Sequence, residues 1–492
     1  MTKRPNTLLI TVDQWPGHLI NAAGHPVIET PTLDTLCEAG TLYNSAYSEC
    51  PVCIPSRRTL MTGTSPRTHG DRVFKTQEPM PPIPTLASTF RDHGYQATSV
   101  GKLHVYPQRD RIGFDDTIIA EEGRPQLGAV DDYDIFLADQ GFAGQQFMHG
   151  MSNNEYGWRA WHLSEFSHVT NWSAREMCRA IKRRDPTRPA FWNLSFTHPH
   201  PPLVPLATYL DRYERSEIDV PVHGDWSKSF GELPHALQLV QIYWSRLNAK
   251  QMAEMRRAFY ALCTHIDHQI RIVLGTLREE NLLDDTAIIF TADHGDMLGN
   301  HGLYAKRLFL EPSARVPMIV VPPKGALVES RGSVRNDLFG LADVMPTLLE
   351  FADIAIPETC EGNSMLGSGG RPFFYGECME DGKATRMIRE DDFKLIWYPA
   401  GNHVHLFDLK NDPNECRNLA DDGAYDDKRR HLEQTLIAQL YGVDLDWIRD
   451  GKLIGFDAPA LPRLDNRGLS GQRGLHYPTP PYDSKGRVVG TI

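Results

Sequence analysis

The chain has 492 residues, 41% hydrophobic and 23% charged, an ordinary globular composition with enough length for a large core in one or two domains. A formal net charge of -12 and a pI near 5.9 argue against non-specific nucleic-acid binding, so any anionic ligand needs a local cluster of cations. No apolar stretch approaches a membrane span, and the first apolar run, residues 8–12, is too short for a signal segment and ends in Asp13. Eight cysteines in a chain this long do not form a disulfide framework, and reduced thiols in the cytoplasm are the expectation.

In chain order, apolar runs at 7–12, 96–100, 190–196, 287–291 and 317–321 read as buried parallel strands. Helical stretches lie between and after them, at 31–39, 84–93, 173–184, 250–281 and 341–351. Strands alternating with helices predict an α/β fold with a large, mostly parallel sheet sandwiched by helices, over residues 1–370. Short strand-like runs at 373–375, 384–389, 393–398 and 405–408 then predict a small antiparallel sheet. A helix at 426–441 completes a C-terminal α+β subdomain over 371–448. Residues 449–492 are rich in Gly, Pro and Arg without periodicity and read as an extended tail. Its segment Leu475-His476-Tyr477-Pro478-Thr479-Pro480-Pro481-Tyr482 is a candidate reach to a neighbouring subunit, so a homo-oligomer is expected. Residues 121–165 form a long acidic, aromatic insertion of low regularity.

The residues able to do chemistry fall just after the strands. Asp13-Gln14 follows the first, Lys102-Leu103-His104 the second, His198-Pro199-His200 the third and Asp293-His294-Gly295 the fourth. Open α/β sheets bind ligands at the carboxyl ends of their strands, so four segments bring ligands and cations to one sheet edge. Asp13, Gln14 and Asp293 offer oxygen and His294 nitrogen; oxygen-rich sites suit calcium, magnesium or manganese, and the imidazole tilts the set toward manganese. Arg57, Lys102, His104, His200 and Lys306 are donors able to surround a tetrahedral anion. Cys53 belongs to the run Cys53-Ile54-Pro55-Ser56-Arg57, in which Pro55 suits a first helical turn and no breaker follows before Thr62-Gly63. Residue 53 is thus placed at a helix N-terminus, where free N–H groups and the dipole favour an anion. Singly, each pattern has a bland reading as a turn, a helix cap or a solvated loop. Cys50 and Cys53 have the spacing of a redox or zinc pair, yet no second convincing Cys/His pair accompanies them. The coincidence of every piece at a strand end outweighs those readings.

With these residues in view, the chain resembles the type I sulfatases of the alkaline phosphatase superfamily. The likeness spans about residues 6–419 and is carried by the Cys53–Gly63 block, Thr11-Val12-Asp13-Gln14 and Gly101-Lys102-Leu103-His104. Pro199-His200-Pro201, Thr291-Ala292-Asp293-His294-Gly295, His301-Gly302-Leu303-Tyr304-Ala305-Lys306 and Ser313-Ala314-Arg315-Val316-Pro317 extend it. The resemblance implies that a maturation enzyme oxidises Cys53 to formylglycine, whose hydrate attacks the sulfur of a small-molecule sulfate ester. It implies one divalent metal held by Asp13, Gln14, Asp293, His294 and residue 53, with Arg57 orienting the hydrate. Lys102 and Lys306 would bind sulfate oxygens, His104 would take a proton as sulfate is expelled, and His200 would assist the leaving alcohol. His198 ranks below His200, and His301 is either near the site or a loop-bonding residue.

Two departures from the common sulfatase pattern stand out. Gln14 replaces a second carboxylate, and His294 replaces an asparagine. Both resemble the phosphonate monoester hydrolases and choline-sulfatase-like enzymes, and the lost carboxylate favours manganese over calcium. Lys102 and His104 retain the sulfatase pair and favour a sulfate monoester. A phosphonate monoester or phosphodiester hydrolase is the main alternative, and a non-catalytic protein binding sulfated ligands is the alternative of another class. Tyr156, Trp158, Trp161 and Trp172, with Glu121, Glu122, Asp131, Asp132 and Asp134, could receive a cationic headgroup, stack a sugar or aryl ring, or simply pack a loop.

Overall fold

A computed structural model describes residues 4–122, 130–151, 155–244, 247–326, 331–367 and 369–461. The strands of the large sheet are β1 (Asn6–Asp13), β2 (Thr41–Tyr43), β3 (Gln96–Gly101), β4 (Asp116–Ile119), β5 (Ala190–Pro199), β6 (Thr286–Ala292), β7 (Met318–Val321) and β8 (Ser333–Arg335). Their spatial order is β4-β3-β5-β1-β6-β7-β2-β8. The five strands from β4 to β6 are mutually parallel, with Ile10 of β1 opposite Leu194 of β5 and Phe290 of β6. β1, β5 and β6 are buried along their whole length, which is why they read as continuous apolar runs.

The helices that matter here are α1 (Pro31–Ala39), α2 (Cys53–Thr62), α3 (Leu86–Asp92), α4 (Asp132–Asp139), α5 (Val169–Arg183), α6 (His235–Tyr243), α7 (Ala249–Glu279) and α8 (Val344–Phe351). α1, α5 and α7 pack together on one side of the sheet, and α2, α3 and α8 associate as a second group. Thr85 and Asn248 form capping boxes at the starts of α3 and α7, which sets those ends later or earlier by a residue or two than the apolar pattern alone indicates.

One strand runs against the sequence expectation. Residues 317–321 read as a parallel strand, but β7 is antiparallel to both β6 and β2. A parallel crossover would carry the chain to the far end of the sheet before it returned. Here the segment between β6 and β7 stays at the carboxyl end of β6 and builds loops around Asp293 and Lys306, so β7 must run back down.

The C-terminal strands β9 (Phe374–Cys378), β10 (Thr385–Glu390), β11 (Phe393–Tyr398) and β12 (His403–Asp408) form an antiparallel meander. Alternation divides its two faces. Ile388, Leu395, Trp397 and Leu406 meet Leu432 and Leu436 of α9 (Asp426–Ile437), while Met387, Ile396 and Phe407 join Tyr47, Val52, Leu303 and Phe309 of the large unit. A hairpin, Ile448–Arg449 against Lys452–Leu453, straddles the boundary expected at 448/449 between the subdomain and the extended tail. The tail's Pro-rich aromatic motif at 475–482 lies outside the described residues.

Candidate active site

Loops at the carboxyl ends of β1, β3, β5 and β6 converge on the first turn of α2. Cys53 opens that helix, with Val52 as its extended cap residue, and Gly63 closes it in the left-handed region (φ 66°). The sulfur of Cys53 lies 3.2 Å from His294 Nε2, 3.2 Å from Lys306 Nζ and 3.8 Å from Asp13 Oδ1. Donor atoms of Asp13, Cys53, Asp293 and His294 all fall within 4.8 Å of one another, and all four residues are buried. His294 Nδ1 donates to its neighbour's carbonyl at Gly295 (3.0 Å), which leaves Nε2 as the lone-pair nitrogen facing the cluster. Two carboxylates, an imidazole nitrogen and a thiol brought this close fit a divalent cation.

Gln14 is oriented from behind. Its amide nitrogen donates to Asp296 and to the Tyr156 hydroxyl (2.9 Å), so its Oε1 turns inward and accepts from Lys306 Nζ (2.7 Å). Its backbone N–H donates to Asp293 Oδ1 (3.1 Å), tying the β1 and β6 loops together. Arg57 reaches from the second turn of α2 to Asp293 Oδ2 (2.9 Å), Asp13 Oδ2 (3.4 Å), the Lys102 carbonyl (2.9 Å) and Ser195 Oγ (2.9 Å). Lys102 Nζ contacts Asp13 Oδ2 and lies 2.7 Å from Glu122 Oε1. His104 is held through its backbone, whose N–H donates to Glu121 Oε1 (2.8 Å), while its ring meets the Phe74 ring edge-on at 5.6 Å. His200 Nδ1 donates to the Pro201 carbonyl (2.6 Å), and its Nε2 is buried without a hydrogen-bond partner among the described residues. A cavity of about 40 Å³ opens beside it, lined by Glu122, Phe147, His149, Trp161 and His198.

The backbone is shaped for this convergence. Gln14, His104 and Glu122 have positive φ (71°, 59° and 57°), a conformation that costs non-glycine residues about 1 kcal/mol or more. Gly101 (φ 101°) cannot be replaced cheaply, since a Cβ there would sit 1.8 Å from the Ser195 carbonyl oxygen.

Electrostatics follow the geometry. Burial works to raise the Asp13 carboxyl, but Lys102, His200, Lys306 and Arg57 hold it well below the usual range. Burial and Asp13 oppose ionisation of Cys53, yet Lys306, Lys102 and His294 draw its thiol below the ordinary value, toward thiolate. His294 is raised, because Asp293 and Cys53 outweigh the burial that lowers it. Burial foremost depresses His200, with Lys306 adding to it, and lowers His198 to about 4.

The candidate metal ligands Asp13, Gln14, Cys53, Asp293 and His294 therefore come together with Arg57, Lys102 and Lys306, His104 and His200 stand beside them at Glu121 and Glu122, and two lesser candidates lie aside. His198 sits behind His200, its ring against His168, and His301 accepts from the Gly224 N–H and stacks on Trp226 away from the cluster. Sequence reasoning missed Asp296, which orients Gln14, and Ser195, which holds Arg57; Asp296 follows Asp293 by three positions in the same loop, the one signal available. Glu121 accepts from the Leu103 and His104 N–H groups, and Glu122 lies against Lys102 and lines the cavity beside His200 with Trp161. Asp131 caps α4, Asp132 pairs with Arg109, and Trp172 is 2% exposed in a small core with Tyr133.

The same arrangement has relatives. The family model described as Sulfatase matches residues 5–354, and one described as N-sulphoglucosamine sulphohydrolase, C-terminal, matches 299–441. An arylsulfatase of Clostridium perfringens is 33% identical over 480 residues, covering 94% of this chain and 100% of that protein. A choline-sulfatase of Rhizobium meliloti is 30% identical over 443 residues, covering 85% and 83%. The solved phosphonate monoester hydrolase of Agrobacterium radiobacter shares the fold, with a TM-score of 0.77 and 23% identity over 92% of this chain and 100% of its own. A family match over most of the chain, joined to a near-full-length relative, establishes that this chain belongs to the sulfatase family of sulfuric ester hydrolases.

Proposed function

We propose that this protein cleaves sulfate monoesters to an alcohol and inorganic sulfate with a formylglycine made from Cys53, a divalent metal and the cations around them. The observation that carries this is the placement of the Cys53 sulfur at a helix N-terminus, 3.2 Å from both Lys306 and His294 and beside two carboxylates. Hydrated formylglycine would supply an oxygen nucleophile toward sulfur, and the cation, held by Asp13, Gln14, Asp293, His294 and residue 53, would polarise substrate oxygen.

The chain's own side chains do the rest. Lys102 and Lys306 flank residue 53 and would hold the sulfate oxygens as charge shifts during transfer. Arg57, fixed by four acceptors, keeps Asp13 and Asp293 aimed at the centre. His200, with Nδ1 committed to a carbonyl and Nε2 unpartnered among the described residues, would assist the leaving alcohol in its imidazolium form, which a bound sulfate anion would favour against the burial that depresses it. His104, steadied by Glu121, would take a proton from the hydroxyl at residue 53 as sulfate departs. Manganese is the favoured ion, because an imidazole and the neutral Gln14 replace charged oxygen ligands.

The test is peptide mass spectrometry across residue 53 on the batch assayed with an aryl sulfate. A peptide about 18 Da lighter than the cysteine form, together with turnover, is the expected result. Turnover with Cys53 unmodified would refute the formylglycine mechanism. Conversion with turnover of phosphonates or phosphodiesters alone would favour the second reading, which Gln14, His294 and the likeness to a phosphonate monoester hydrolase support.

The wider proposal is a cytoplasmic homo-oligomer that depends on a maturation enzyme and is built as a catalytic unit (1–370), a C-terminal subdomain (371–448) and a tail (449–492). Eight free thiols support a reducing compartment. Truncation after Arg449 followed by light scattering tests the tail; an unchanged oligomeric state would exclude it from assembly.

A further inference from the structure

Most cations near the site are matched by carboxylates: Arg57 by Asp13 and Asp293, Lys102 by Asp13 and Glu122, and Arg72 by Glu377 and Asp444. Among the described residues, Arg307 and Lys383 are not. Arg307, directly after Lys306, has its guanidinium 5.7 Å from the Phe74 ring, and that ring lies against His104. Lys383 comes from the C-terminal subdomain, on a 3-10 turn at Asp381–Lys383, and its Nζ lies 5.8 Å from the Tyr243 ring. Both side chains are half-buried. Neither makes an ion pair with a described carboxylate, and Arg307 Nε is buried without a partner among the described residues.

The two cations feel each other. Burial first, and then Arg307, lowers the Lys383 ammonium from its ordinary value, while Asp381 on its own turn works the other way. Half-buried like charges held together cost free energy unless something of opposite sign completes them. The placement is also fixed rather than loose. The Arg307 N–H donates to the Pro51 carbonyl (2.8 Å), just before α2, and Gly382 packs so closely on α6 that a Cβ would lie 3.1 Å from His235 Nε2. The Phe74 ring contacts both Arg307 and His104, with the Arg307 guanidinium 5.7 Å from its centroid and the His104 ring edge-on at 5.6 Å.

We propose that Arg307 and Lys383 form a second anion subsite, which selects sulfate esters whose alcohol half carries a further anionic group, a carboxylate or a second sulfate. This rests on the sulfatase reading above and names the substrate class for it. The organic part would lie across Phe74, with its ester sulfate at residue 53 and its second anion between the two cations. Discrimination then comes from the rim, while the sulfate pocket reads only the group being cleaved.

The test compares 4-nitrophenyl sulfate with phenyl sulfates bearing a carboxylate or a sulfonate at each ring position, in the wild type and in R307Q and K383Q. At least one anionic substrate is expected to exceed the neutral one in kcat/KM, and each variant to lower that ratio by about tenfold or more, the worth of a charged hydrogen bond. Whether the carboxylate or the sulfonate series shows the larger ratio identifies the anion. An unchanged ratio in both variants would overturn the subsite. Calorimetry with benzene-1,3-disulfonate against benzenesulfonate needs no turnover. A preference for the disulfonate that R307Q and K383Q abolish would uphold the subsite even if the sulfatase mechanism failed; equal affinities in the wild type would count against it.

Discussion

Two buried ionic clusters in this protein have similar ingredients and opposite characters. At the seam between the large unit and the C-terminal sheet, Lys394 lies 2.7 Å from Glu311 and 2.5 Å from Glu415, Arg315 lies 2.9 Å from Glu311, and Arg389 contacts the Tyr47 hydroxyl. Against burial, which raises it, Lys394, Arg315 and Arg389 hold the Glu311 carboxyl down to about 2. In the candidate active site, Lys306 is also buried but leans on an amide oxygen and a thiol, with no carboxylate within ion-pairing distance among the described residues. The seam consumes its charges internally; the site leaves an ammonium and an imidazole nitrogen to be completed from outside. Buried charge alone therefore does not mark a candidate catalytic site, and the distinguishing feature is a donor with no carboxylate partner among the described residues.

The largest effect that separates the two regions is expected from Cys53→Ala. It should reduce aryl-sulfate turnover by about 10⁴-fold or more while leaving the thermal midpoint nearly unchanged. Turnover and melting of one sample check both halves. Lys394→Met should do the converse, removing about 3–5 kcal/mol of stability by leaving Glu311 and Glu415 without their shared cation. Denaturant unfolding measures it, and kcat of the folded fraction should stay at the wild-type value. Lys306→Ala should cost about 10²–10³-fold in kcat/KM without a comparable loss of stability. A destabilisation as large as that of Lys394→Met would make Lys306 a structural cation and erase the contrast.

The smallest effect concerns pH. Burial pushes Glu415 up to about 7, with Lys394 opposing and Glu311 adding to it. A carboxyl raised on folding holds its proton where the unfolded chain releases it. Its contribution to stability is full below the unfolded value, near 4.3, and is lost as pH rises through about 7. Glu415→Gln should flatten that part of the stability profile. Melting curves of both proteins between pH 4 and 8 test it, and parallel profiles would show that the seam does not titrate.

The legibility of the sequence divides along the same line. β1, β5 and β6 are readable because a strand buried on both faces is a largely continuous apolar run, β3 shows only a short, partly buried pattern, and the polar successors of all four mark the site edge. β2 and β8, three residues each, carry too little pattern to stand out. The reversal of β7 was hidden because apolar runs do not encode direction; the path of the preceding loop does. Lys394 sits inside an apolar strand, and nothing local announces that its side of β11 faces Glu311 across the seam. Asp296 and Glu121 act through partners far away in the chain or through backbone N–H groups, so only the assembled loops reveal their tasks.

Cys53 is 1% exposed, enclosed by residues that leave the ribosome much later; Lys306 follows it by 253 positions. At ordinary translation speeds, that separation lasts roughly ten to fifty seconds. During this interval the thiol has emerged but its lid has not yet been made. A maturation enzyme of the kind proposed above would therefore work against a clock set by the ribosome, and the fraction of molecules born active would become a matter of timing. Slower elongation between codons 53 and 306 would lengthen the opportunity, and a molecule that folds unmodified carries its thiol sealed inside.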